Sequence, residues 1–101
     1  MALIVQKYGG SSVATPERIL RVAERIIKTK REGHKLVVVV SAMGNTTDEL
    51  IKLMKKVNPD PPKRELDLLL STGEIVSAAI LAAAINAKGE RGCAFTAYQG
   101  R

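Results

Sequence analysis

The chain has 101 residues, 46% of them hydrophobic and 26% charged, with a formal net charge of +6 at pH 7. That length allows one small domain with a core of its own, and the balance is that of an ordered, soluble globular protein. A single cysteine, Cys93, excludes an intramolecular disulfide, a single histidine, His34, excludes a Cys/His zinc cluster, and three scattered aromatics argue against a base-stacking platform.

The basic balance points to an anionic partner and by itself leaves nucleotide, nucleic acid and acidic metabolite open. The first apolar run is interrupted almost at once by Lys7 and two glycines, which is not the pattern of a secretion signal. No stretch reaches the roughly 18–20 uninterrupted apolar residues of a membrane span, so a soluble, cytoplasmic chain without a membrane partner is expected.

In chain order, residues 3–5 read as a buried strand that ends on Lys7, just before the Gly9-Gly10 turn. An ammonium at a strand's carboxyl end lies where open α/β sheets bind ligands. Two glycines let a partner approach the backbone closely, and Ser11 and Ser12 add hydroxyl and N–H donors, a combination suited to phosphate. The lysine precedes the glycines, so this is neither a P-loop nor a dinucleotide fingerprint. An ordinary strand-to-helix turn with a solvated lysine is the alternative reading.

Thr15, Pro16 and Glu17 supply an N-cap, a first-turn proline and a first-turn acid, and predict a helix over about 16–32 that closes at Gly33. Ile19, Leu20, Val22, Ala23, Ile26 and Ile27 form its apolar stripe, while Arg18, Arg21, Arg25 and Lys28, interleaved with acids, read as a solvated face. Residues 36–40, four of them valine, read as a strand covered on both faces, as in a parallel sheet. The resulting βαβ unit puts Ser41 on the same sheet edge as Lys7.

Thr46 and Glu49 have capping-box spacing ahead of a second helix stopped at Asn58-Pro59, which leaves Thr47 either facing the sheet edge or on the surface. A helix over 64–70 is then expected to break at Ser71-Thr72-Gly73-Glu74, followed by an alanine-rich helix over 75–87. Glu74 has two readings: a second capping box with Ser71, or a carboxylate at a cleft mouth that pairs with a substrate ammonium. Residues 93–98 look like a third strand, with Cys93 a small core residue, and His34 reads as a solvated loop residue. The order is β-α-β-α-α-β, a three-layer α/β domain with a mainly parallel sheet, or part of one.

Taken together, residues 7–13 (KYGGSSV), 39–50 (VVSAMGNTTDEL) and 70–74 (LSTGE) closely resemble the amino-terminal part of the aspartate kinases, within the amino-acid kinase family. The likeness runs to about residue 98. It implies phosphotransfer from ATP, with Mg²⁺, to the side-chain carboxylate of L-aspartate, giving 4-phospho-L-aspartate for lysine, threonine and methionine synthesis. By the same resemblance Lys7 stabilises charge on the transferring phosphoryl group, and Lys7, Tyr8, Gly9, Gly10 and Ser11 contact the ATP phosphates. Ser41 lies beside the reacting groups, Thr47 meets the aspartate carboxylate, and Glu74 its α-ammonium.

The resemblance also implies a later half of the catalytic domain and regulatory ACT domains that residues 1–101 do not contain. The chain is therefore expected to be a fragment, inactive alone, with no metal ligands of its own. It is expected to form a homo-oligomer or to associate through an uncovered sheet edge. A kinase of another amino acid or of carbamate is the nearest alternative, a non-catalytic association module a more distant one, and a nucleic-acid partner is not expected.

Overall fold

A computed structural model describes residues 2–95. Strand β1, Leu3–Tyr8, pairs in parallel with β2, Lys35–Val40, in a register that runs from Leu3 opposite Lys35 to Tyr8 opposite Val40. Between them lie a single 3-10 turn, Gly10–Val13, and helix α1, Pro16–Arg31. Helix α2, Thr46–Val57, and helix α3, Lys63–Ala87, follow.

The α1 boundaries follow from chemistry legible in the sequence. The Thr15 hydroxyl accepts from the Arg18 N–H at 3.2 Å, and Pro16 gives up a donor that the first turn has no use for. Gly33 takes φ +95° just past the last turn, where a side chain would be strained. Ile19, Val22, Ala23, Ile26 and Ile27 are buried, each large one contributing about 1.5–3 kcal/mol by leaving water. Leu20, read as part of this stripe, is exposed instead.

The core joins Tyr8, Val13, Val40 and Leu81 to the inward face of α1, with Leu36, Val38, Ala78 and Ile85 packed around it. Both α1 and α3 thus cover one face of the two strands. On the opposite face Leu3, Val5, Val37 and Val39 remain between 48% and 68% exposed. The class is α/β with a parallel sheet, as expected, but β2 is not covered on both faces. Its unbroken apolar run equips two faces for burial, and the described residues supply a layer for one.

Three local expectations are corrected. Thr46 does not cap α2: it is the first helical residue, Asn45 holds the cap position, and no side chain bonds there. The break at 71–74 is absent, because the Ser71 and Thr72 hydroxyls donate back to the Leu68 and Leu69 carbonyls at 2.7 and 2.6 Å. Those bonds satisfy the hydroxyls inside the helix, and the leucines and alanines around them favour its continuation, so α3 is one helix of 25 residues, about 37 Å long. Residues 93–95 carry no strand and Cys93 is exposed; the remainder of the expected third strand lies outside the described residues.

His34 also departs from expectation, being half-buried in the turn before β2, with an enclosed Nδ1 that lacks a hydrogen-bond partner among the described residues. Helix α3 contains an 18-residue window with a mean hydropathy of 2.0, long and apolar enough to cross a membrane by those measures, and 22% of that window is buried. Gly73, Ser77 and Leu81 pack it into the fold. Its far end is tied to α1 by Lys88–Glu24 at 3.2 Å and, just beyond, by Glu90–Arg31 at 3.0 Å.

Candidate functional site

A parallel pair brings the carboxyl ends of both strands to one edge, and three segments meet there. The Ser41 N–H donates to the Tyr8 carbonyl at 3.1 Å, and the Gly44 N–H donates to the Gly10 carbonyl at 3.1 Å. These two bonds join the end of β1 and the glycine turn to residues 41–44. The third segment is the middle of α3, where the Gly73 backbone lies against Ala42.

Lys7 is the penultimate residue of β1, opposite Val39, and its side chain leaves from the open face of the strands. Tyr8 turns the other way. Its ring is in the core and its hydroxyl donates to Gln6 Oε1 at 3.1 Å, so what Tyr8 offers the edge is backbone. Gly9 is extended, with open space where a Cβ would be, and the 3-10 turn begins immediately after it. The N–H groups of Gly10 and Ser11 have no acceptor among the described residues, whereas Ser12 donates to the Gly9 carbonyl at 3.1 Å. Free N–H donors at the start of a turn suit an anion.

Gly10 also matters for packing. A Cβ there would come within 2.7 Å of the Ala42 carbonyl oxygen, so only a bare α-carbon allows the turn and residues 41–44 to meet. Ser41 is half-buried beside this contact, and Thr47 is half-buried in the first turn of α2. Glu74, one residue beyond Gly73 on α3, is exposed. Among the described residues neither Lys7 nor Glu74 forms an ion pair, and no hydrogen bond links the side chains of Lys7, Ser41 and Glu74. The backbone therefore brings the three segments together and leaves the two charged side chains open to solvent.

Two contributors escaped the sequence reading. Arg18, assigned to a solvated face, donates from Nη1 to the Ser11 carbonyl at 2.7 Å and holds the glycine turn from the α1 side. Nothing in the spacing of these two residues signals that bond. Gly73 did carry a signal, since glycine inside a helix costs about 1 kcal/mol relative to alanine and suggests a close neighbour. A separate hollow of about 670 Å³ lies between α1, β2 and α3, with Ile26, Leu36, Leu81 and Ile85 in its apolar lining.

Comparisons with known proteins agree with this arrangement. Residues 2–101 match the model of the amino acid kinase family. The aspartokinase of Mycolicibacterium smegmatis is 59% identical over 99 residues, which are 98% of this chain and 24% of that protein. The aspartokinase of Thermus thermophilus is likewise 59% identical over 99 residues, with the same coverage. The crystal structure of aspartate kinase from Synechocystis superposes with a TM-score of 0.84 at 55% identity, covering 86% of this chain and 15% of that one. This chain spans about a quarter of the length of the curated relatives it matches. It belongs to the amino acid kinase family.

Proposed function

We propose that residues 1–101 are the amino-terminal portion of an aspartate kinase domain, supplying a phosphate-contacting lysine and the amino-acid side of the site. The reaction is phosphotransfer from ATP to the side-chain carboxylate of L-aspartate, giving 4-phospho-L-aspartate, in a cytoplasmic enzyme. One observation carries the reading: Gly10, residues 41–44 and Gly73, from the three motifs shared with aspartate kinases, are in direct contact at the carboxyl edge of the parallel pair. Membership of the family and the named aspartokinase relatives support it.

In this reading a carboxylate oxygen of aspartate bonds to the γ-phosphorus as the bond from that phosphorus to the bridging oxygen breaks, and ADP departs with the electron pair. Lys7 offsets charge building on the phosphoryl oxygens, while Gly9, Gly10 and Ser11 present backbone N–H groups to the phosphates. Tyr8 contributes through its backbone. Ser41 sits beside the reacting groups, Thr47 donates to a substrate carboxylate, and Glu74 pairs with the α-ammonium.

Mg²⁺ accompanies ATP in such reactions, yet the described residues contain no group of three or more metal-ligating side chains. Among the described residues, the open face of Leu3, Val5, Val37 and Val39 favours association of the chain, as do the unpaired edges of the two-stranded sheet.

The test is a full-length aspartokinase relative in which this segment replaces its counterpart. Lys7→Met is expected to lower turnover by about a hundredfold or more, with little change in aspartate KM. Glu74→Ala is expected mainly to raise the aspartate KM, by about tenfold or more. The reverse pattern would undo both role assignments. The isolated chain is expected to form no ADP in response to aspartate, and measurable formation would contradict the fragment reading.

A further inference from the structure

Gly73 lies inside α3 and is buried. A methyl group built on its α-carbon would come within 2.8 Å of the Ala42 Cβ, 3.7 Å of Thr46 Cγ2 and 3.8 Å of Leu50 Cδ1. Ala42 is buried too, and its carbonyl oxygen faces the bare α-carbon of Gly10. This one small residue therefore separates the glycine turn from α3 and touches each where a side chain is missing.

Neither neighbour can yield cheaply. An alanine methyl has no rotamer to change. Residues 41–44 are tied to the end of β1 by the bond from Ser41 and to the turn by the bond from Gly44, and α3 is anchored further along by buried Ser77 and Leu81 and by Lys88. Ser41 precedes Ala42 and Glu74 follows Gly73, so this contact holds the α-carbons of Ser41 and Glu74 within about 14 Å of one another, from the 3.8 Å step between successive α-carbons.

We propose that Gly73 is a positioning residue for the amino-acid acceptor: by seating Ala42 against bare α3 backbone, it fixes how far Glu74 stands from Ser41. The inference rests on the role given above to Glu74. Gly73 touches no substrate itself. A methyl at 73 pushes the middle of α3 away from residues 41–44 and carries Glu74 with it, whereas Lys7, fixed on β1, keeps its place. Recognition of the acceptor then suffers while that of the nucleotide does not.

The experiment uses the full-length relative carrying this segment, with Gly73→Ala, Ala42→Gly and the double variant. Gly73→Ala is expected to raise the aspartate KM by about tenfold, the size of a misplaced charged contact, and to leave the ATP KM close to the parent value. The double variant, with its methyl moved across the same gap, is expected to return the aspartate KM close to the parent value. Should Gly73→Ala not fold, Ala42→Gly alone is expected to raise the aspartate KM, since Glu74 then lacks its stop. An equal rise in both KM values, no rescue in the double variant, or an unchanged aspartate KM in Ala42→Gly would overturn the positioning role. A parent enzyme that forms no ADP with aspartate would overturn the function itself, a result separable from the others.

Discussion

Helix α1 is 16 residues long and buries Ile19, Val22, Ala23, Ile26 and Ile27; helix α3 is 25 residues long and buries Gly73, Ser77 and Leu81. The two pack against each other, yet their locations are set differently. Large side chains filling space fix α1, whose outer face is charged and whose first turn is capped. For α3 it is mainly missing bulk that matters: small residues let the helix come close to residues 41–44, while Leu68, Ile75, Val76 and Ile80 stay exposed. A helix held by filling fails when side chains shrink, and a helix held by clearance fails when they grow.

That contrast can be broken by urea unfolding of the chain and its variants. The largest loss is expected for Ile26→Ala, about 2–5 kcal/mol, from transfer plus cavity; a loss below that range would mean the α1 site collapses around the gap. Ser77→Leu, at a position 1% exposed, is expected to cost about 1–3 kcal/mol by overpacking. A neutral or stabilising result there would remove clearance as the principle for α3. Thr15→Ala is expected to cost about 1 kcal/mol through the lost cap, and no loss would mean the 3.2 Å bond contributes nothing.

Smaller effects sharpen the same picture. Lys88→Met should cost about 1 kcal/mol or less, because Glu24 across the pair is largely solvated, and high salt should erase most of it. Ile80→Gln should change stability by no more than about 0.5 kcal/mol. A response at Ile80 as large as that at Ser77 would reveal that the outer face of α3 is packed in solution.

The sequence was most legible where signals are local and agree. Thr15, Pro16, the stripe from Ile19 to Ile27 and Gly33 all specify one helix, and the structure contains it. The meeting of Ser41 with the glycine turn was also readable, because a βαβ crossover forces both strand ends to one edge. The continuity of α3 was not, since Ser71 and Thr72 have the same letters whether their hydroxyls cap a new helix or bond back into an old one. Thr46 and Glu49 misled for a related reason: capping spacing is necessary for a box but does not make one. The Arg18 bond to Ser11 depends on how α1 sits over the turn, which no spacing encodes.

The pairing of β1 with β2 has a consequence for how the chain is made. Leu3 finds its partner in Lys35 and Tyr8 in Val40, with the whole of α1 between them. During synthesis the first strand must therefore wait, unpaired, until β2 has left the ribosome, and the turn at Gly9 and Gly10 lacks the bond from the Gly44 N–H until residues 41–44 follow. The edge is thus completed by the part of it that is made last.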